Sequence, residues 1–153
     1  MFALAVVLVL GACDKAGRVT APAAAPPTAT SPEQAVRVLE WAFVNRGANE
    51  LEGLCTADLS FVTAVVDSAG NSQGESWSRE RLLRTLRTMF EGDPTTAPAA
   101  KISLNFDRNM QSAPDPRPGL AVESHRTIRT SIDLVVIHDD GSSLEVSGHG
   151  LFT

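Results

Sequence analysis

Residues 126–152 read RTIRTSIDLVVIHDDGSSLEVSGHGLF. Ile128, Ile132, Leu134 and Val136 share one parity, and Arg129, Ser131 and Asp133 share the other. Alternation with a period of two marks a strand buried on one face only. Asp139-Asp140-Gly141 turns the chain, and Leu144, Val146 and Phe152 belong to the next strand. The stretch predicts two long antiparallel strands. A sheet of that kind buries one face and leaves the other in water, so a second layer must cover it.

The residues upstream supply that layer. Ile102, Leu104 and Phe106 alternate with Ser103, Asn105 and Asp107, which predicts a further half-buried strand. Between it and Arg126, the run SAPDPRPG at 112–119 reads as a surface loop, because proline has no N–H to give a sheet. Earlier, Ser78 stands as the N-cap of a helix, with Trp77 and Leu82 at the positions of a hydrophobic staple. Leu82, Leu83, Leu86, Met89 and Phe90 form its buried face, and Gly92 with Pro94 ends it. Leu59 to Val66 is rich in β-branched residues and reads as a strand, followed by a polar loop from Asp67 to Gly74. The first helix opens on the capping box Ser31-Pro32-Glu33-Gln34 and carries Ala35, Val38, Leu39, Ala42 and Phe43 on one face. Gly47 is its expected stop, and Leu51, Leu54 and Cys55 mark a short second helix.

The amino-terminal residues are of another kind. An unbroken apolar run from Phe2 ends in Leu10-Gly11-Ala12-Cys13. It is shorter than the roughly 20 residues a membrane span needs, and it has the layout of a secretory signal. Leucine, two small residues and cysteine resemble the lipobox of bacterial lipoproteins. That resemblance implies a diacylglycerol on Cys13, cleavage just before it, and a protein anchored to the cell membrane outside the cytoplasm. Asp14 resembles the inner-membrane retention signal of such proteins. No Lys or Arg precedes the apolar run, so the true start is expected upstream of Met1. Residues 1–12 are thus the signal. Residues 13–30 are the lipidated cysteine with an Ala/Pro-rich linker, and 31–153 form one domain.

Composition narrows the classes. Of 153 residues, 43% are hydrophobic and 20% charged, as in an ordinary globular domain. The net charge of −5 argues against a nucleic-acid binder. Lipid on Cys13 leaves Cys55 as a lone thiol, expected on the apolar side of the second helix. The three histidines are scattered and no cysteine pair occurs, so no metal-ligand spacing is present. No Gly-rich phosphate loop appears, and no cofactor is implied.

Helix, helix, strand, helix and then long antiparallel strands resembles the nuclear transport factor 2-like superfamily, which includes SnoaL-like cyclases and ketosteroid isomerases. The stretch SPEQAVRVLEWAFVNRGANELEGLCTADLSFV at 31–62, with its Thr56-Ala57-Asp58 turn, is similar to the opening of many such domains. WSRERLLRTLRTMFEG at 77–92 is similar to their third helix and to a subgroup of bacterial lipoproteins. The resemblance covers Ser31 to Thr153. It implies an α+β, cone-shaped fold with three N-terminal helices packed on a curved antiparallel sheet that enclose a pocket. Members usually continue through further strand length, so a chain ending in Gly-Leu-Phe-Thr is expected to be truncated at the last strand, with an edge left unpaired.

Superfamily enzymes place an acid/base group in the pocket. Asp107, Asp133, Glu145 and His149 are the candidates here, with Asp133 and His149 foremost. Alternation sets Asp133 beside Arg129 and Ser131, which is the solvent-facing set, and His149 shares a face with Glu145 and Ser147. The chain has no tyrosine, so a Tyr/Asp oxyanion pair cannot be built. Trp41, Phe61, Trp77 and Phe106 are expected in the core and as pocket lining. Arg81, Arg84 and Arg87 are expected on the solvated face of their helix, with Arg79 nearby. The expected role is non-catalytic binding of a small apolar ligand or a protein partner at the envelope, with membrane contact through Cys13 and a homodimer through the sheet. The alternative is a small SnoaL-like isomerase, cyclase or hydrolase.

Overall fold

The computed structural model describes residues 25–66 and 72–153. Cys13, Asp14 and the apolar run before them lie outside the described residues. The elements follow in the order α1 (Pro32–Asn45), α2 (Ala48–Leu54), β1 (Ser60–Val66), β2 (Ser72–Ser78), α3 (Arg79–Glu91), β3 (Lys101–Phe106), β4 (Ser112–Pro114), β5 (Arg126–Ile137) and β6 (Ser143–Phe152). The class is α+β with antiparallel sheets. β1 and β2 form a hairpin of their own. In the larger sheet β5 is central: β6 runs along one side of it, while β3 and β4 share the other.

Helix α1 starts as its sequence dictates. The Ser31 side chain accepts from the Gln34 N–H at 3.2 Å, and Pro32 occupies the first turn, where no donor is needed. Its end differs from expectation. The left-handed residue is Arg46, at φ 59, and Gly47 takes an ordinary φ of −77. A non-glycine residue is held there because its side chain reaches three carbonyls: Phe90 O at 2.9 Å, Ala100 O at 3.2 Å, and Ala99 O. Gly47 is needed for space instead. A Cβ there would stand 2.8 Å from Trp41 Cζ3 and 2.6 Å from Glu50 Oε2.

Helix α3 is capped by Ser78, which accepts from the Arg81 N–H. It ends at Gly92, whose φ of 78 favours glycine. A Cβ there would also press on Thr96 O and Pro98 Cδ, both at 2.8 Å.

The core has two adjoining parts. Ala42, Leu51, Leu83, Leu86, Phe90, Ala99, Ile102 and Val136 join α1, α2 and α3 to β3 and β5. Val36, Leu104, Phe106 and Ile128 form the second, under the first half of α1. The alternation of β3 and β5 is as expected: Ile102, Leu104, Phe106, Ile128, Thr130 and Val136 are buried, and Arg129 and Asp133 are exposed.

Two loops of the sequence reading are partly strand. Ser72–Ser78 pairs along its whole length with β1, although Ser72 to Gly74 read as loop and Trp77 as a helix lead-in. Phe61 and Trp77 face each other across that hairpin, with ring centroids 5.9 Å apart. Aromatic cross-strand contact outweighs the polar composition of β2. Ser112–Pro114 is a three-residue edge strand on β5. Pro114 stands at its end, where a missing donor is tolerated.

A hydrogen bond fastens α1 to that edge. Glu33 Oε1 accepts from the Ser112 N–H at 2.9 Å. Hydrogen bonds from Ser112, and then from its own helix N-terminus and Ser31, hold the Glu33 carboxyl down at about 2. A folded pKa below the unfolded one gives stability that is complete above the unfolded value and lost as the pH falls toward 2. Wild type is therefore expected to exceed Glu33→Gln in stability at pH 6, with the gap closing between about pH 4.5 and 2. Urea midpoints across that range measure it.

Candidate functional site

The face of the sheet beneath the helices is filled. Phe106 is 8% exposed and meets Phe152 edge-on at 5.6 Å. Trp41 is half-buried and packs against the main cluster beside Leu39 and Phe43. Both belong to the packed core. The best-formed hollows among the described residues are open clefts beside α3. One, of about 340 Å³, lies against Arg84, Thr88, Met89 and His138. The other, of about 380 Å³, lies against Glu52, Arg79, Leu83 and Arg87.

Phe61 and Trp77 depart from the expected core. They sit on the β1–β2 hairpin, where Phe61 is 39% and Val62 65% exposed. The Arg81 guanidinium lies 4.6 Å from the Trp77 ring centre and pairs with Glu75 at 2.6 Å. Trp77 and then Arg81 hold the Glu75 carboxyl below its ordinary range. The result is an exposed Phe61 beside a half-buried Trp77, with a charged rim of Arg81 and Glu75, on a hairpin that packs against α3.

The other arginines of α3 behave as a solvated face. Arg81, Arg84 and Arg87 are exposed. Arg87 pairs with Glu52 at 2.5 Å, and Arg79 donates to Cys55 O and Glu52 O at 3.0 and 3.2 Å. Cys55 caps the end of α2 and is half-buried. Burial pushes its thiol up, with Arg79 opposing. A thiol so held stays protonated and unreactive.

On the outer face of the sheet, two candidates, Asp107 and His149, meet at Ser131. Asp107 follows β3 and accepts from Ser131 N at 2.7 Å, Ser131 Oγ at 2.5 Å and Thr130 Oγ1 at 3.3 Å. His149 stands directly opposite Ser131 in the β5–β6 register. Bonds from Ser131, then Thr130 and the charge of His149, hold the Asp107 carboxyl below its ordinary range. The order of contacts is not that of a nucleophile relay. In such a relay the imidazole takes the hydroxyl proton and the carboxylate orients the imidazole; here the carboxylate itself takes the serine hydroxyl. A carboxylate with a lowered pKa is also a weak general base at neutral pH. Asp133 is exposed and accepts from Ser147 Oγ across the strands at 2.8 Å. Glu145 and His149 are exposed too. Asp107 with Ser131 and Asp133 with Ser147 form two hydrogen-bonded pairs on this solvent-facing side.

The residues that the sequence reading missed lie on β6. Leu144, Val146 and Leu151 are 54%, 45% and 58% exposed. Leu144 and Val146 point to the helical side, yet α1 packs on β3 and β5 and leaves β6 uncovered. Their alternation was legible; the width of the helical layer was not.

Among the described residues, no group of His, Cys, Asp or Glu is placed to hold a metal ion. None of their helices is long and apolar enough to cross a membrane. No family model, curated protein or solved structure matches the chain.

Proposed function

We propose that this chain is a lipid-anchored protein of the cell envelope whose domain, of nuclear transport factor 2-like type, binds a protein partner and performs no catalysis. The lipobox-like Leu10-Gly11-Ala12-Cys13 run carries the anchor reading. The observation that carries the binding reading is the distribution of apolar surface. The interior face is occupied by the chain's own Leu104, Phe106 and Ile128, while Phe61 and Val62 stand exposed on the β1–β2 hairpin. A binder of small apolar molecules needs a concave hollow lined by such residues. A binder of proteins needs an exposed aromatic anchor with a polar rim. Phe61, Trp77, Arg81 and Glu75 supply that combination.

Labelled palmitate and fractionation test the anchor in a bacterial host. Wild type is expected in the membrane fraction with label, and Cys13→Ala without label and released. A photo-crosslinker at Val62 tests the hairpin: one discrete adduct heavier than the chain is expected. Equal label in wild type and Cys13→Ala overturns the first half, and the absence of any adduct overturns the second.

A further inference from the structure

Helix α1 runs alongside β5 in the same direction. Val36, near its start, packs with Ile128 near the start of β5, and Ala42 packs with Val136 near the other end. The hydrogen bond from Ser112 to Glu33 fixes the same arrangement, since Ser112 pairs with Ile128. Ser31, where residues 13–30 lead into the domain, therefore lies at the end at which β5 begins. The loop from Asp115 to His125 lies at that end too, because it joins β4 to β5. Its base is closed by the Asp115 N–H, which donates to His125 O at 3.1 Å.

The loop is firmly built. Pro114, Pro116 and Pro118 restrict its backbone. The Asp115 side chain is 1% exposed. It accepts from the Arg117 N–H at 2.9 Å and from the Arg117 guanidinium at 2.5 and 3.0 Å. Pro118 and Gly119, the latter at φ 86, turn the chain. A second turn follows, where Ser124 N–H donates to Ala121 O at 3.1 Å. What these turns hold out is apolar: Pro118-Gly119-Leu120-Ala121-Val122 has no polar side chain. Leu120 is half-buried, the other four are exposed, and Val122 is 52% exposed. A consecutive apolar run in water marks a contact surface. The charges that flank it are Arg117, which Asp115 neutralises, and Glu123.

We propose that the 118–122 tip rests in the headgroup layer of the membrane to which Cys13 tethers the chain. The inference rests on the anchor reading and adds to it a fixed orientation of the domain. The tether enters beside the loop, so this end of the domain is the one held against lipid. A linker of the length of residues 13–30 spans on the order of 25 Å as a flexible chain. The bilayer is then at high effective concentration, and a contact too weak to hold a free protein suffices. The loop is already ordered, so docking immobilises little. With no positive excess beside the tip, the contact is with a zwitterionic interface. Glu123 next to Val122 keeps the insertion shallow, as for an apolar face lying at the headgroup boundary. The Phe61–Trp77 hairpin takes no part. It packs against α3, whose last turn is joined to the opposite end of α1 by Arg46 and Phe90 O, so it stays open to a partner.

The test uses the lipidated chain, purified from a bacterial host and reconstituted in phosphatidylcholine vesicles. Cys55→Ser leaves one free thiol at Val122→Cys or, as the control, at Ser76→Cys on the hairpin. Each carries the same polarity-sensitive fluorophore, and brominated lipid is the quencher. Roughly threefold stronger quenching is expected at 122 than at 76. Ala121→Asp, at an exposed position, is expected to bring the quenching at 122 down to that of the control while flotation with vesicles and circular dichroism are kept. Equal quenching at the two positions, or quenching at 122 that Ala121→Asp leaves unchanged, overturns the proposal and leaves the anchor standing. Failure of the chain to float with the vesicles overturns the anchor and the proposal together.

Discussion

Phe90→Ala is expected to lower the stability of the domain by about 3–5 kcal/mol, against a whole of about 5–15 kcal/mol for a domain of this size. Phe90 is 2% exposed and lies where α3 meets α1, α2 and the sheet. Its ring meets Phe43 edge-on at 5.8 Å. Truncation removes the transfer energy of the ring, leaves a cavity among Ala42, Leu51 and Leu86, and deletes an aromatic pair worth about 0.5–1.5 kcal/mol. The neighbours cannot close the gap easily, because α1 is fastened at both ends. Phe61→Ala provides the contrast. That ring also has an aromatic neighbour, Trp77, but is 39% exposed. About 1 kcal/mol or less is expected there. Urea denaturation of the two variants beside wild type measures both. Equal losses would show that the hairpin belongs to the core.

The contrast also shows what the sequence reveals. Phe90 falls in a strong helical stripe with Leu83 and Leu86, between a serine cap and a terminal glycine, so its burial is legible from spacing alone. Ile128 and Val136 are equally legible, because a period of two has one buried parity. Phe61 and Val62 sit in a β-branched run whose strand is real, but no periodicity says that the strand pairs only with its own hairpin. Burial of a strand depends on which element covers it, and coverage is a long-range property. β6 is the same case: Leu144 and Val146 alternate as core residues do, yet α1 stops over β5. For the candidate carboxylates, alternation correctly placed Asp133 on the outer face. It did not foresee that Asp107, just beyond β3, takes both the N–H and the hydroxyl of Ser131. That contact arises from the twist and register of two strands distant in sequence. Cys13 has the opposite character: the reading is carried by adjacent residues and needs no fold at all.

Arg46→Ala is expected to cost about 2–3 kcal/mol, a large loss for a residue that sequence alone marks only as the neighbour of Gly47. Its guanidinium donates to Phe90 O at the end of α3 and to Ala99 O and Ala100 O before β3. It thereby joins the ends of two helices to the entry of the sheet. Each carbonyl lies at an element's end, where backbone acceptors lack partners within the element. Alanine leaves those acceptors facing a partly buried gap and keeps the backbone at φ 59, where a Cβ is disfavoured by roughly 1 kcal/mol. Arg46→Gly loses the same hydrogen bonds but adopts that φ freely, so it is expected to be about 1 kcal/mol more stable than Arg46→Ala. Arg46→Lys keeps the charge but replaces a planar fork by a single ammonium, and is expected to recover less than half of the loss. The order wild type, Lys, Gly, Ala in urea midpoints identifies a carbonyl clamp on a left-handed cap. Should lysine match arginine, charge alone would account for the stabilisation. Should glycine match wild type, the hydrogen bonds would contribute nothing. Arg46 also holds the carbonyl of the residue whose ring fills the core, so the pair Arg46→Ala and Phe90→Ala is expected to be non-additive by at least about 0.5 kcal/mol. Once the ring is gone, the end of α3 can shift, and the guanidinium no longer finds Phe90 O and Ala99 O in one geometry.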